Sequence, residues 1–289
     1  MILNNAPATG FINVNKATGV SSAREVAVIK RLTGLPCGHL GTLDPMASGV
    51  LPVAVGNATR LFDYFLTKRK RYVAEFTFGI DTDTLDTTGT VLSRCDKIPA
   101  EVEIEAVLPA LTGDIMQVPP NYSAKSVNGV RGYALARQGK EFSLSAKAVS
   151  VGEFKLLGRV DKDIFRFEIE CGGGTYIRSL ARDLAASLGT CAAMSALCRT
   201  ESGGFKIENS IETRALTRDN INEYLIPTDS VLPYPKITLT PSECRRYLNG
   251  LAVNTELEAG QYRVYLAEGS FYGVGVSDGT TLKSRLKLC

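Results

Sequence analysis

The residues able to do chemistry in this chain are few and unevenly placed. Asp44 stands in Gly38-His39-Leu40-Gly41-Thr42-Leu43-Asp44-Pro45-Met46-Ala47-Ser48-Gly49-Val50-Leu51-Pro52, which also holds the only histidine of the sequence. Pro45 biases Asp44 away from the α region, while Gly38, Gly41 and Gly49 permit positive φ or close backbone approach. Such a run is neither helix nor strand. It is a stiff loop that presents one carboxylate to a ligand or, read plainly, a glycine-rich turn that only reverses the chain. A second candidate is Cys171-Gly172-Gly173-Gly174-Thr175-Tyr176-Ile177-Arg178-Ser179-Leu180, where a strand, three glycines and a helix start make an anion cradle. It lacks the Lys-Ser/Thr ending of a nucleotide phosphate loop. His39 has no accompanying nucleophile motif, so a catalytic triad is not expected. Seven cysteines, at 37, 95, 171, 191, 198, 244 and 289, show no Cys-x-x-Cys pair, which argues against a zinc site, metal catalysis or a disulfide framework.

These residues need elements to hold them. Gly10 to Asn15 reads as a strand, followed by the turn Lys16-Ala17-Thr18-Gly19 and a helix capped by Ser21 or Ser22 that runs to about Leu32. Val50 to Val55 is apolar enough for a buried strand, and Asn57 caps a short helix with Leu61, Phe62, Phe65 and Leu66 at helical spacing. Lys70 to Phe78 alternates strictly, with Tyr72, Ala74, Phe76 and Phe78 on one face. The acidic, threonine-rich segment 79–98 reads as a solvated loop without the calcium-loop spacing. Pro99 to Leu111 reads as a helix that Pro109 bends or ends early. Strands are expected at about 147–157 and 163–171, and a helix through about 211–225 leads to a linker dotted by Pro227, Pro233 and Pro235. Beyond Ile237 the pattern changes to a short helix, Pro241 to Leu248, strands at 262–266 and 271–276, and a basic end with Lys283, Arg285 and Lys287.

At 289 residues, 44% hydrophobic and 22% charged, the chain suits one large and one small soluble domain. No basic n-region with an apolar core opens the sequence and no apolar run reaches the ~18 residues of a membrane span, so a cytoplasmic location is expected. The net charge is only +3, but it is distributed in blocks. Arg60, Lys68, Arg69, Lys70 and Arg71 face one acid, Asp63. Lys125, Arg131, Arg137, Lys140 and Lys147 face Glu141, whereas 81–114 is strongly acidic. This pattern suggests one face tuned to a polyanion. In 118–139 the basic residues interleave with Tyr122 and Tyr133, which suits backbone contact and stacking on looped RNA or, more plainly, a solvated basic helix.

The pattern Gly-His-x-Gly-Thr-Leu-Asp-Pro-x-Ala-x-Gly-x-Leu-Pro resembles the signature of the TruB family of tRNA pseudouridine synthases. Four further blocks resemble the family in the same order: the opening around Lys16, here with Ala17 for the usual proline; Lys70-x-Tyr72; Gly-Thr-Tyr-Ile-Arg-Ser-Leu at 174–180; and Leu197-Cys198-Arg199-Thr200 through Phe205, with cysteine where arginine is frequent. The resemblance implies an α+β pseudouridine synthase fold: a mixed, mainly antiparallel central sheet flanked by helices, over about 1–235, and a small β-rich PUA-like RNA-binding domain over 236–289. It implies isomerisation of a T-loop uridine of tRNA, the pseudouridine-55 reaction, by a monomer without cofactor or metal. Asp44 is then the catalytic acid group, paired with Arg178, whose fixed charge favours the carboxylate in a water-poor pocket. Tyr72 and Leu197 sandwich the flipped uracil with Tyr176 nearby, and His39 lies by the vacated space. Lys16 and, in the insertion at about 121–147, Lys125, Arg131 and Arg137 bind substrate. Asp44 acts as nucleophile at C1′ or as base at the 2′ position; the sequence leaves both routes open. An RNA chaperone of the same fold and a guide-RNA-dependent synthase are the competing readings, against which stand the intact Asp44, Tyr72 and Arg178 and the basic insertion.

Overall fold

Strict alternation of apolar side chains over Lys70–Phe78 and an all-apolar run at Val50–Val55 place these two segments at the centre of a large sheet. The structure, a computed structural model, describes residues 9–122 and 144–289, with the backbone of 126–127 and 130–131. In chain order its strands are β1 (Gly10–Lys16), β2 (Cys37–His39), β3 (Ser48–Val55), β4 (Lys70–Phe78), β5 (Ile80–Thr82), β6 (Val91–Arg94), β7 (Gly113–Gln117), β8 (Ser126–Val127), β9 (Val130–Arg131) and β10 (Lys147–Asp161). They continue with β11 (Ile164–Cys171), β12 (Ala192–Ser202), β13 (Phe205–Lys206), β14 (Ile226–Pro227), β15 (Lys236–Thr238), β16 (Val253–Asn254), β17 (Gly260–Tyr265), β18 (Phe271–Ser277) and β19 (Thr281–Lys287).

Ten strands form one sheet in the order β14-β1-β3-β12-β4-β11-β10-β7, with β2 also on β3 and β13 on β12. Its pairings are antiparallel except β3 with β12, which run parallel over Ser48–Gly49 and Cys198–Arg199. The expected mixed, mainly antiparallel sheet is therefore present. Along β4 every second residue is buried, and Phe76 stacks on Phe167 with ring centroids 4.7 Å apart. Helices Ser22–Thr33 and Ile177–Ser187 cover the sheet. The first starts at an Ser21 cap whose side chain accepts from the Arg24 N–H, and ends at Gly34 in the left-handed conformation. The second buries Ile177, Leu180, Ala181 and Leu184 in the main core. A five-stranded sheet, β15-β17-β18-β19-β16, follows, and its Val274, with Leu288 just beyond β19, shares a second core with Phe11, Val50 and Phe65.

Four expectations need correction. The 211–225 helix is two short 3₁₀ turns, Thr213–Ala215 and Ile221–Tyr224. Between them Asn220 Oδ1 accepts from the Thr217 N–H and Thr217 Oγ1 from the Asn220 N–H, so side chains take the bonds a helix would have used. The proline-dotted stretch is packed rather than free: Ile226–Pro227 pairs with β1 and Leu232 is buried in the second core. Segment 79–98 holds the β5–β6 pair and buries Thr82 and Asp86. Finally, Cys95 and Cys191 form a disulfide across 96 residues, a pairing that scattered spacing hides. Cys95→Ser will lower stability by about 2–4 kcal/mol, and thermal melting with and without dithiothreitol will show the reduced wild type matching the variant.

Among the described residues no helix is long and apolar enough to cross a membrane, and no group of His, Cys, Asp and Glu is placed to hold a metal.

Candidate active site

The loop carrying Asp44 is fixed by partners from distant parts of the chain. Ser22 Oγ donates to the Leu43 carbonyl at 2.8 Å and accepts from the Leu43 N–H at 2.9 Å. Lys16 Nζ donates to the carbonyls of Ala17, Val20 and Pro45, and the Gly19 N–H donates to Pro45 as well. Arg199 Nη2 donates to the Gly41 carbonyl at 2.9 Å. A short Ala47 N–H to Asp44 carbonyl bond of 3.0 Å closes the turn after Pro45. The backbone on both sides of Asp44 is thereby set before any ligand arrives, leaving only its side chain free to react.

That side chain, 37% exposed, meets Arg178, whose Nε lies 3.0 Å from Asp44 Oδ2. Arg178 is the hub of the site. Its Nη1 donates to the Thr84 carbonyl at 2.8 Å and lies 3.8 Å from Asp86 Oδ2, and its Nη2 donates to the Tyr122 carbonyl at 3.0 Å. Asp86 is held in turn by Thr84 and Thr88, and its loop is pinned to β12 by hydrogen bonds between Leu85, Thr87 and Met194. Arg178→Met will leave Asp86 buried without its cation and cost about 3–5 kcal/mol; urea unfolding will report the loss alongside the loss of turnover.

Asp44 and Arg178 border a cavity of about 410 Å³ whose walls include Tyr72, Tyr176 and Leu197. Tyr72 and Leu197 come from adjacent strands, since β4 and β12 pair Ala74 with Leu197 and Tyr72 with Arg199. Burial pushes the Tyr72 hydroxyl up to about 12, with the nearby Arg199 charge opposing. The Gln117 amide clamps the Tyr176 backbone, accepting from its N–H at 2.8 Å and donating to its carbonyl at 3.1 Å.

Five of the expected site residues, Asp44, Arg178, Tyr72, Tyr176 and Leu197, thus meet at one cavity. Lys16 does not join them: it is fully buried, and its contact with Pro45 makes it a support of the loop rather than a substrate contact. His39 pairs with Val53 in the β2–β3 ladder and is not part of the cavity wall; burial first, then Arg199, lowers its pKa. Arg131 lies in β9, its side chain outside the described residues, as are Lys125 and Arg137. The residues missed are Asp86, Lys70 and Arg199. Asp86 was hidden in an acidic run that reads as solvated. Arg199 stands two residues after Leu197 on the same strand face, and that spacing could have revealed it.

Known proteins share this fold. The fold matches Cbf5 in a solved Cbf5-Nop10-Gar1 complex, with a TM-score of 0.68 and 27% identity over 93% of this chain and 78% of that one. It likewise matches an archaeal box H/ACA Nop10-Cbf5 complex, with a TM-score of 0.69 and 26% identity over 98% and 87%. The fold is that of a pseudouridine synthase. Residues 30–177 match the model of the TruB family pseudouridylate synthase N-terminal domain, and 235–285 that of the pseudouridine synthase II TruB C-terminal region. The tRNA pseudouridine synthase B of Clostridium novyi is 40% identical over 95% of this chain and 97% of its own, and that of Acaryochloris marina 39% identical over 96% and 98%. The chain belongs to the TruB family of pseudouridylate synthases.

Proposed function

We propose that the protein isomerises a uridine in the T-loop of tRNA to pseudouridine, the pseudouridine-55 reaction, as a cytoplasmic monomer needing neither cofactor nor metal. The observation that carries this reading is the Asp44–Arg178 pair at 3.0 Å, facing a cavity walled by Tyr72 and Leu197. Chemistry on the C1′–N1 bond needs the base out of its stack, so the target nucleotide is flipped out, its uracil lying between the Tyr72 ring and Leu197. Asp44 then breaks the glycosidic bond, either by attack at C1′ or by removing the 2′ proton. The detached uracil turns, C5 bonds to C1′, and the C5 proton is lost as N1 gains one, so that the product is an isomer of the substrate.

The T-arm is favoured by the names of the close relatives and by two basic segments, 68–71 and the insertion at about 121–147. Residues 236–289 act as the second RNA-binding domain: β19 exposes Lys283, Arg285 and Lys287. Lys125, Arg131 and Arg137 hold phosphates of the arm, and His39 supports the bases displaced by flipping.

The test is tritium release from C5-labelled tRNA transcript with no other RNA or protein present. Release by the wild type, abolished when the T-loop uridine is replaced by cytidine, is the expected result. Tight binding without release would instead favour the chaperone or guide-dependent reading.

A further inference from the structure

The cavity holds two cations that the reaction as written above does not use. Arg199 is only 1% exposed, although it forms part of the cavity wall. Its Nε donates to the Val50 carbonyl at 2.7 Å and its Nη2 to Gly41. Lys70, also buried and also on the wall, donates to the carbonyls of Leu66 and Lys68. The two sit side by side at Gly41: Arg199 Nη1 and Lys70 Cε each lie 3.6 Å from where a Gly41 Cβ would stand. Arg178 is answered by Asp44 and Asp86, whereas among the described residues no carboxylate pairs with Arg199 or Lys70. Burial, and after it the Arg199 charge, lower the Lys70 amine to about 8. Two desolvated cations without a counter-ion are costly unless a ligand brings the negative charge.

The proposed chemistry produces such a charge, by either route. When the C1′–N1 bond breaks, its electron pair leaves with N1, and the uracil departs as an anion delocalised over N1, O2 and O4. Asp44 meanwhile loses its own charge, becoming an ester with C1′ or taking up the 2′ proton. Negative charge therefore passes from Asp44 to the free base, while Arg178 stays bonded to the carbonyls of Thr84 and Tyr122 and close to Asp86.

We propose that Arg199, with Lys70 beside it, is the site that holds the detached uracil anion, Arg199 donating to a carbonyl oxygen of the base until C5 bonds to C1′. This inference rests on the function proposed above. It makes Arg199 a catalytic residue whose contribution grows as the glycosidic bond breaks, in the manner of donors aimed at charge that develops in a transition state.

The experiment compares wild type with Arg199→Gln and Lys70→Met in single turnover on tRNA carrying either uridine or 5-fluorouridine at the target position. The readout is loss of the target nucleoside from nuclease digests. With uridine, each variant is expected to react about 10²- to 10³-fold more slowly, while binding tRNA as the wild type does and melting cooperatively. Fluorine itself stabilises the uracil anion, so with 5-fluorouridine the defect should narrow by about tenfold, as Brønsted behaviour requires of a leaving-group effect. Equal defects on both substrates in an otherwise active enzyme would overturn the inference and reduce Arg199 to packing around Tyr72 and Gly41. Lys70→Met carries the same test should Arg199→Gln fail to fold. A wild type inactive on tRNA alone would overturn the underlying reading instead, and with it the inference.

Discussion

Asp44→Ala will abolish turnover while leaving the protein folded and able to bind tRNA, with a rate loss of about 10⁴-fold or more. The fold is spared because the loop does not depend on that carboxylate. Leu43, Pro45 and Gly41 are held through their backbones by Ser22, Lys16, Gly19 and Arg199. Arg178, which among the described residues is the side chain that pairs with Asp44, keeps Asp86 and the carbonyls of Thr84 and Tyr122. Chemistry is lost because among the described residues no other carboxylate lines the cavity: Asp86 is buried behind Arg178 and is not part of the cavity wall. Tritium release and filter binding on the same preparations separate the two effects. An Asp44→Ala enzyme that retains release above a hundredth of wild type would remove Asp44 from the reaction.

A large effect on stability is expected at Gly49. Its φ is +96°, a region unfavourable to residues with a Cβ, and a Cβ there would stand 2.3 Å from the Arg199 carbonyl oxygen and 2.9 Å from its nitrogen. Those atoms belong to the backbone of β12, so relief requires parting β3 from β12 at their short parallel joint. Gly49→Ala should cost about 3–5 kcal/mol, the sum of an unfavourable backbone conformation and an overpacked core. The control is Gly189→Ala, at φ +66° with open space around it, which bears the backbone cost of about 1–2 kcal/mol alone. Urea midpoints give both numbers. A Gly49→Ala variant as stable as Gly189→Ala would mean that the joint yields more easily than its geometry indicates.

What could be read in the sequence was set by local patterns. Alternation over Lys70–Phe78 fixed which side chains of β4 face the core, and Tyr72 follows from it. The Ser21 cap and Gly34 stop frame the first helix with ordinary local signals. The Asp44 loop could be recognised because glycine and proline restrict the backbone strongly over a few residues. What stayed hidden depends on tertiary neighbours. Lys16 looks like a surface cation until three carbonyls close around it. Asp86 lies in a run of acids, and only the approach of Arg178 singles it out. The 211–225 stretch has helical composition, but the Thr217 and Asn220 side chains take backbone bonds that a helix would have used. Cys95 and Cys191 are brought together by the fold rather than by spacing.

The parallel joint between β3 and β12 also bears on how the protein is made. Arg199 reaches Val50 across 149 positions of sequence, so the Asp44 loop cannot be locked until β12 has been synthesised. Until then β3, whose Val50–Val55 are all buried in the finished sheet, offers an unpaired apolar edge. A nascent chain stalled before residue 192 would therefore carry a sticky strand and no working site, and appearance of activity during translation would time the closing of the sheet rather than the emergence of Asp44.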